Sequence, residues 1–360
     1  MIYLDNAATT AVTTDVAEAM LPFLYTNYAN PSAQYSIARQ ARLAIEKARK
    51  QVADAINAEP NQIFFTSGAT ESNNIIMRAF DHTICSNIEH PSIKGIEFNV
   101  FDDYLSENLD RLISEFTSVK SGKRTVVSCQ WVNNETGIVL PVGTVCATAH
   151  HYGLPFHTDA TQAFGHIKID VKAIDCDFLS LSGHKFHAPK GVGVLYIKEP
   201  KKFKSDIVGG GQEKGIRSGT ENVAGIVGIG KAAELYKYTK KREQEVGKMR
   251  LKLFDLLSDK LTRSAIFNSR TPNIPNIMSL SIQGVEGESL LLLLDDKDIC
   301  VSGGSACHSG QNTKSKTLTA MGVPDDYIYG TIRISMDAET NTLDDITKFV
   351  EALTEILKVI

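Results

Sequence analysis

Residues 180–193 read SLSGHKFHAPKGVG, and this stretch decides which class of fold the sequence predicts. An apolar strand, predicted over Asp177–Ser182, runs directly into a Gly-His-Lys turn that places Lys185 just beyond the strand. Ligands of α/β sheets bind at the carboxyl ends of strands. A lysine at such a place can attack a carbonyl carbon if its pKa is lowered, although SGHK taken alone is more typical of a solvated turn.

A second motif, HTDATQ at residues 157–162, lies 26 positions before Lys185, roughly one strand-helix-strand step. Asp159 follows an apolar strand, and a helical pattern is predicted after it, so Asp159 taken alone could simply cap a helix. A carboxylate close to a pyridine nitrogen keeps that nitrogen protonated, which makes a pyridoxal ring an electron sink. The spacing predicts that Asp159 and Lys185 face each other across adjacent strand ends.

A third motif, FTSGATESNN at residues 65–74, places a glycine turn between a strand and the start of a helix. The free N–H groups and the positive end of the helix dipole are typical of a phosphate cradle. An ordinary strand-to-helix turn has a similar sequence, so this motif alone is weak. It is not a nucleotide-binding P-loop, because no GxxxxGK[ST] pattern is present.

Short apolar runs alternate with helical stretches, which predicts a mostly parallel sheet flanked by helices. A helix is predicted over Ser36–Ile56, where apolar residues recur on one helical face. The predicted strands of this part are Gln62–Thr66, Thr83–Asn87, Thr125–Gln130, Leu154–Thr158, Asp177–Ser182 and Gly193–Ile197.

A charged helical stretch, Lys231–Leu261, is predicted to connect to a second pattern of strands and helices. That pattern contains strands at Ile277–Ile282 and Thr331–Ser335 and a closing helix capped by Thr342. The predicted fold is therefore α/β, with a large domain over 14–243 and a smaller α+β domain made of 1–13 and 244–360.

Composition excludes several classes of function. The chain has 360 residues, 42% hydrophobic and 22% charged, as in ordinary globular proteins. A net charge of -4 argues against a nucleic-acid partner, because such domains are usually strongly basic. The N-terminal segment lacks the pattern of a signal peptide, and the longest run of large apolar residues, Leu290–Leu294, is too short to span a membrane. We therefore expect no membrane association.

Six cysteines are present, and neither a CxxC pair nor a zinc-type spacing occurs among them. We expect no metal site, and we expect free thiols in a reducing, cytoplasmic compartment. Cys129, Cys146 and Cys176 lie in or near apolar segments and are predicted to be small core residues.

Taken together, the motifs resemble the NifS/IscS-like, group I cysteine desulfurases, which belong to the class V aminotransferase-like family of fold-type I enzymes dependent on pyridoxal 5'-phosphate (PLP). The resemblance runs in order through nearly the whole chain. The matching segments are YLDNAATT, NPSAQYS, FTSGATESNN, IEHPS, VNNETG, HTDATQAFG, SLSGHKFHAPKGVG, GGGQEKGIRSGTENV, VEGESLLLLLD, SGGSACHS and IRIS.

The resemblance implies a role for each matching residue. Lys185 would bind PLP covalently, His90 would stack on its ring, Asp159 would pair with the ring nitrogen, and Gln162 would donate to the phenolic oxygen. Asn134 and Arg333 would hold the substrate carboxylate, and Cys307 would receive the sulfur. The implied phosphate ligands are Ala69, Thr70, Ser182, His184 and, from the other subunit of a homodimer, Thr220. Asn134 is also counted among the cofactor contacts.

Two of these residues have ordinary alternatives when taken alone. His90 would more often be a surface or core histidine, and Arg333 sits in the alternating strand TIRIS, where a solvent-facing arginine is usual.

The implied activity is removal of sulfur from L-cysteine, giving alanine and a persulfide on Cys307 for an acceptor protein. Iron–sulfur scaffolds, tRNA thiolation proteins and cofactor pathways all use such donors. Two alternatives stay open: a lyase acting on selenocysteine or cysteine sulfinate, and a non-catalytic PLP-fold partner. The second predicts loss of Lys185, Asp159 or Cys307, and all three residues are present.

Overall fold

The structure, a computed structural model, describes residues 1–101, 105–119, 122–303 and 314–360, without the side chains of 106 and 115–119. The strands are β1 Ile2–Tyr3, β2 Ile63–Thr66, β3 His82–Ser86, β4 Ile96–Phe98, β5 Thr125–Ser128, β6 Phe156–Asp159, β7 Phe178–Ser182, β8 Gly193–Ile197, β9 Ala265–Phe267, β10 Ile277–Ile282, β11 Ile299–Cys300, β12 Ser302–Gly303 and β13 Thr331–Ser335.

The helices alternate with the strands in the first two thirds of the chain. They are α1 Thr14–Met20, α2 Pro22–Tyr25, α3 Ser36–Ile56, α4 Ala69–Arg78, α5 Leu105–Val119, α6 Val142–His151, α7 Val171–Ile174, α8 Val223–Tyr236, α9 Lys240–Lys260, α10 Gly287–Asp295, α11 Lys316–Ala320, α12 Asp325–Ile328 and α13 Leu343–Ile356.

The chain divides into two compact units. The larger unit contains residues 10–131 and 140–237, and the smaller unit contains residues 1–9, 132–139 and 238–360. The segment 132–139 thus belongs with the C-terminal part of the chain, where Ile138 forms a bridge with Asn273. In the domain prediction the same segment lay inside 14–243.

A seven-stranded sheet forms the centre of the larger unit, in the order β2-β8-β7-β6-β5-β3-β4. The strands from β4 to β7 run parallel, whereas β8 is antiparallel to both of its neighbours. This mostly parallel sheet with helices confirms the predicted α/β class. The side chains of the parallel strands β5, β6 and β7 are all buried, as expected for strands that are covered on both faces of the sheet.

A buried ion pair ties together separate parts of the larger unit. Arg49, on the buried face of α3, donates to both carboxylate oxygens of Glu213 at 2.8 Å. Glu213 also accepts from the backbone N–H of Phe65 at 2.9 Å. Breaking a buried pair by removing one partner is strongly destabilising, because the other charge is left without compensation.

The smaller unit contains a four-stranded antiparallel sheet in the order β12-β13-β10-β9. Helix α13 packs against this core and against α9. Its predicted cap is confirmed: Thr342 accepts from the N–H of Asp345, and the Asp345 side chain accepts from the N–H of Thr342. The apolar stripe of this helix is buried as well, at Ile346, Phe349, Val350, Leu353, Ile356 and Leu357.

Two predicted helices are wrong. The stretch Lys231–Leu261 is two helices, because the chain becomes extended at Lys237 and Thr239 caps the second helix by accepting from the N–H of Arg242. The helix expected after Asp159 is a series of turns at 161–166. Gly165 has a φ of +84° there, and a Cβ at that position would lie 2.8 Å from the carbonyl oxygen of Tyr236.

None of the helices in the described part of the chain combines the length and the apolar character needed to cross a bilayer.

Candidate active site

The predicted site residues of the larger unit gather where its parallel strands end. Asp159 is the last residue of β6 and Ser182 is the last residue of β7, and these two strands run side by side in parallel. Their carboxyl ends therefore meet at one edge of the sheet, and Lys185 lies in a short 3-10 turn just beyond β7. This is the edge at which open α/β sheets bind ligands.

The phosphate cradle predicted at residues 65–74 has the geometry of an anion site. No side chain caps the N-terminus of α4 among the described residues, so the first N–H groups, at Ala69 and Thr70, lack the intrahelical partners of later ones. Gly193 lies opposite both Thr66 and Ser182 in the sheet. A Cβ at Gly68 would lie 3.7 Å from the Ser182 hydroxyl, which places that hydroxyl beside the helix N-terminus.

Thr10 holds the turn that carries Lys185. Its N–H donates to the carbonyl oxygen of His184 at 2.8 Å, and its hydroxyl accepts from the N–H of His187 at 2.7 Å. Both bonds fix backbone on either side of Lys185. The turn is therefore constrained although the Lys185 side chain is only partly buried.

Asp159 is buried, and each of its oxygens accepts an N–H hydrogen bond. Oδ2 accepts from Asn73 Nδ2 at 2.8 Å, and Oδ1 accepts from the N–H of Thr161 at 3.0 Å. Asn73 lies on α4, so the helix that begins at the cradle also supplies a donor to this carboxylate.

His90 lies in the loop after β3 and is half-buried. Its Nδ1 is 2.7 Å from Ser92 Oγ and accepts from the backbone N–H of Ser92 at 3.2 Å. Ser92 Oγ also accepts from Asn73 Nδ2 at 2.9 Å. The structure thus connects His90 with Asp159, two residues that sequence analysis assigned to one site.

Two histidines near these residues, the buried His157 and the partly buried His184, are neutral at neutral pH. Burial lowers the pKa of His157 to about 4, and the ring lies between the hydroxyls of Ser128 and Ser180 at 2.9 and 3.0 Å. Burial also lowers the pKa of His184 to about 4, and the positive charges of Lys185 and Lys190 add to this effect. A neutral His184 can still donate one N–H to an anion.

Glu89 is a buried carboxyl group that sequence analysis did not single out. Oε1 accepts from Ser86 Oγ and from the N–H of Gln130, both at 2.6 Å, and Oε2 has no hydrogen-bond partner among the described residues. Burial raises the pKa of Glu89 to about 7, partly offset by the two hydrogen bonds, and the charge of Asp159 raises it further. Glu89 is therefore largely protonated below pH 7.

Asn134 and Arg333 come together in the smaller unit. Arg333 Nη1 donates to the carbonyl oxygen of Asn134 at 2.8 Å, and Nη2 donates to Asp5 Oδ1 at 2.8 Å. Arg333 is only 2% exposed, so the solvent-facing arginine that is usual in an alternating strand is not what the structure contains. Two of the five guanidinium N–H groups are used in these bonds, and Nε is buried without a partner among the described residues.

The remaining predicted site residues have different positions. Gln162 is buried in the turns after β6, while Thr220 is exposed in the loop before α8. Cys307 lies outside the described residues. The predicted core cysteines Cys129, Cys146 and Cys176 are buried, and burial raises the pKa of all three thiols.

Sequence analysis missed Asn73, Ser92 and Asp5, which contact the predicted residues, and Glu89, which precedes His90 in the chain. One feature of the sequence could have drawn attention to Asn73, because it is a polar residue on the buried face of helix α4. Ser92 follows His90 by two positions, a spacing at which side chains often bond locally. Asp5 and Glu89 lie inside the matched segments YLDNAATT and IEHPS, but neither was given a role.

Comparison with known proteins gives the family. The model of the aminotransferase class-V family matches residues 2–349. The chain belongs to this family. It is 40% identical over 377 residues to the cysteine desulfurase IscS of Methanosarcina thermophila, and the alignment covers 99% of this chain and 92% of that relative.

Solved structures agree with this assignment. A NifS-like protein from Rickettsia africae ESF-5 has a TM-score of 0.88 and 33% identity, with 99% of both chains covered. SspA in complex with cysteine has a TM-score of 0.76 and 30% identity, with 94% of this chain and 99% of SspA covered. The resemblance inferred from the sequence motifs is therefore confirmed.

The residues of the larger unit fit PLP in three respects. Free N–H groups and the Ser182 hydroxyl form a cradle suited to a phosphate. The buried, hydrogen-bonded carboxylate of Asp159 suits a protonated pyridine nitrogen. Lys185 provides an amine on the constrained turn at the same edge of the sheet.

Glu89 leads to a prediction about stability and pH. Its folded pKa of about 7 exceeds the ordinary value of 4.5, so the folded state binds this proton more tightly than the unfolded state does. The stability that this proton contributes, roughly 3 kcal/mol, is fully present below about pH 4.5 and is lost as the pH rises through 7. Glu89→Gln removes this titration while its Oε1 can keep both hydrogen bonds.

Chemical unfolding from pH 4.5 to 8 should therefore show Glu89→Gln gaining stability relative to the wild type as the pH rises. Glu107→Gln, at an exposed position, is the matched control for loss of one negative charge. A difference between Glu89→Gln and the wild type that stays constant over this range would contradict the prediction.

Proposed function

We propose that the protein is a PLP-dependent cysteine desulfurase. The observation that carries this proposal is the pairing of full-length similarity to cysteine desulfurases with a lysine, a buried carboxylate and an anion cradle at one sheet edge. The overall reaction is balanced: L-cysteine and an enzyme thiol give L-alanine and an enzyme persulfide.

In this proposal each residue of the larger unit has one task. When bound, PLP would withdraw electrons from the substrate. Lys185 Nζ would hold the cofactor and then move the proton of the substrate α carbon. Asp159 would keep the ring nitrogen protonated, His90 would lie on the ring, and Gln162 would donate to the phenolic oxygen. Phosphate binding would fall to Ala69, Thr70, Ser182 and His184.

Arg333 is proposed to bind the carboxylate of L-cysteine, together with Asn134. Asp5 and the Asn134 carbonyl use two guanidinium N–H groups, so three remain for a substrate. A guanidinium group matches a carboxylate with two parallel hydrogen bonds, which a lysine cannot do. SspA, a relative of similar fold, was solved in complex with cysteine.

Cys307 is proposed to receive the sulfur as a persulfide. Its thiolate would attack the substrate sulfur, so that the carbon–sulfur bond breaks and a sulfur–sulfur bond forms. An acceptor protein would then take the outer sulfur atom. The name IscS borne by the Methanosarcina relative makes an iron–sulfur scaffold one option for this acceptor.

We also propose a homodimer in a reducing, cytoplasmic compartment, in which Thr220 of the partner subunit completes the phosphate site. Thr220 is exposed, as a residue that acts across an interface must be before assembly. Exposed apolar and aromatic side chains in the segment 21–35 support an interface: Leu21, Leu24, Tyr25, Tyr28 and Tyr35. An active monomer in sedimentation experiments would contradict the dimer.

The proposed function predicts that the purified protein with PLP converts L-cysteine to alanine. Lys185→Ala should lose this activity by at least about 1000-fold, because acid–base catalysis and covalent cofactor binding are both lost. It should also lose the absorbance band of lysine-bound PLP and the borohydride-stable label. Lys190→Ala, at an exposed lysine five residues away, is the control.

Alanine formation from selenocysteine but not from cysteine would instead favour a selenocysteine lyase. A protein that binds PLP but releases alanine from neither substrate would favour a non-catalytic role.

The proposed role of Arg333 predicts that Arg333→Lys raises the KM for L-cysteine by about tenfold or more, because a charge-assisted hydrogen bond is lost. The matched control is Arg250→Lys. Arg250 also belongs to the smaller unit, where it is partly buried and donates to the carbonyl oxygens of Ile277 and Ser269. Thermal unfolding should show similar losses of stability in the two variants. Steady-state kinetics should show a changed KM only in Arg333→Lys. An equal KM in both variants would contradict the assignment.

A further inference from the structure

The hydrogen bonds between Asp159 and His90 form a chain in which the direction of each donor can be worked out. Its two inner members, Asn73 and Ser92, belong to different elements, helix α4 and the loop after β3. Asn73 is fully buried, and its Nδ2 contacts both Asp159 Oδ2 and Ser92 Oγ. The amide nitrogen has two hydrogens, which is the number that these two contacts require.

The carboxylate of Asp159 fixes the orientation of the Asn73 amide. In the reversed orientation Asn73 Oδ1 would face a carboxylate oxygen at about the same 2.8 Å, and two acceptors cannot bond to each other. Asn73 therefore donates in both directions. Ser92 Oγ receives one of these hydrogens, which leaves the Ser92 hydroxyl proton free to point elsewhere.

The backbone of Ser92 fixes the role of His90 Nδ1. A backbone N–H can only donate, and the N–H of Ser92 points to Nδ1 at 3.2 Å, so Nδ1 is an acceptor. The Ser92 hydroxyl, 2.7 Å away, must then donate to the same nitrogen. In a neutral imidazole one nitrogen accepts and the other carries the proton.

We infer that Asn73 and Ser92 are positioning residues that hold His90 as a neutral imidazole with its proton on Nε2. This inference rests on the proposed function for its catalytic meaning. It assigns His90 the part of a hydrogen-bond donor or acid at Nε2 and excludes Nδ1 as a base, since that nitrogen is already engaged. The proton of the substrate α carbon, and that of the attacking thiol, must then be taken by another group. Lys185 is the amine available for the first of these.

The chain also couples His90 to the charge of Asp159. The negative carboxylate orders the Asn73 amide, the amide orders the Ser92 hydroxyl, and the hydroxyl adds to the backbone N–H of Ser92 in favouring the tautomer with its proton on Nε2. Hydrogen bonds in such a series polarise one another in a low-dielectric interior. Because the elements act in series, the effect of Asn73 on His90 must pass through the Ser92 side chain.

The test is nitrogen NMR of the full-length protein labelled with 15N-histidine, with and without added PLP. His90→Gln identifies the His90 signals. In the wild type Nδ1 should be unprotonated and Nε2 protonated. Ser92→Ala keeps only the weaker backbone donor to Nδ1, so the ratio of the two tautomers should shift about fivefold towards Nδ1–H, the change expected for loss of one neutral hydrogen bond.

Asn73→Ala should shift the ratio in the same direction but by less, because the Ser92 hydroxyl remains. The double variant Asn73→Ala/Ser92→Ala should match Ser92→Ala alone, as a series arrangement requires. Asn74→Ala is the matched control, since the Asn74 amide donates to the carbonyl oxygen of Thr70 within its own helix and has no part in the chain.

A wild-type His90 with its proton on Nδ1 would overturn the inference. So would an unchanged tautomer ratio in Ser92→Ala, or additive effects in the double variant. The tautomer is read without turnover, so its outcome is separate from that of the proposed function. A protein that makes no alanine from cysteine would refute the function, whereas the NMR result would still decide the positions of the protons.

Discussion

A buried carboxylate at the end of β6 is the constraint on which the arrangement of the larger unit's site depends. A carboxylate removed from water must be hydrogen-bonded or paired, since leaving it unpartnered costs several kcal/mol, a large fraction of the net stability of a protein. Asp159 meets this requirement with an N–H from its own turn and an amide from α4. The need for these donors links the strand end, the helix of the anion cradle and the loop that carries His90.

Three ionisable groups of the larger unit are held neutral, so they add no charge to that of the Asp159 carboxylate. Burial keeps His157 and His184 uncharged at neutral pH, and Glu89 holds a proton up to about pH 7. If Glu89 were ionised as well, two carboxylates would compete for the same cation. A single negative charge at the sheet edge is what a protonated pyridine ring needs, and a neutral His184 beside Lys185 avoids a second positive charge there.

Much of this could be predicted from the sequence, because the strands and turns obey local rules. The strands of the larger unit are short apolar runs bounded by polar turns, and Asp159, Ser182 and Lys185 follow them directly, so their shared edge could be predicted from topology. Helix α13 could be predicted down to its cap, since Thr342 and Asp345 form a local capping box.

What could not be predicted depends on tertiary contacts. The break at Lys237 lies within a stretch that consists mostly of good helix formers and has neither Gly nor Pro at the break. Arg333 looked like a surface residue because alternation describes a strand with one wet face, whereas β13 lies inside its sheet and is buried on both faces. Asn73 and Ser92 meet only because α4 and the loop after β3 are adjacent in space.

The proposed function requires that sulfur from L-cysteine becomes bound to Cys307. The most direct measurement is peptide mass spectrometry of the PLP-loaded protein after treatment with L-cysteine in the absence of reductant. We predict an added mass of about 32 Da on the peptide that contains Cys307, and no such adduct in Cys307→Ser, which should still bind PLP. An adduct on Cys300 or Cys129 instead, with Cys307→Ser still releasing sulfur, would contradict this prediction.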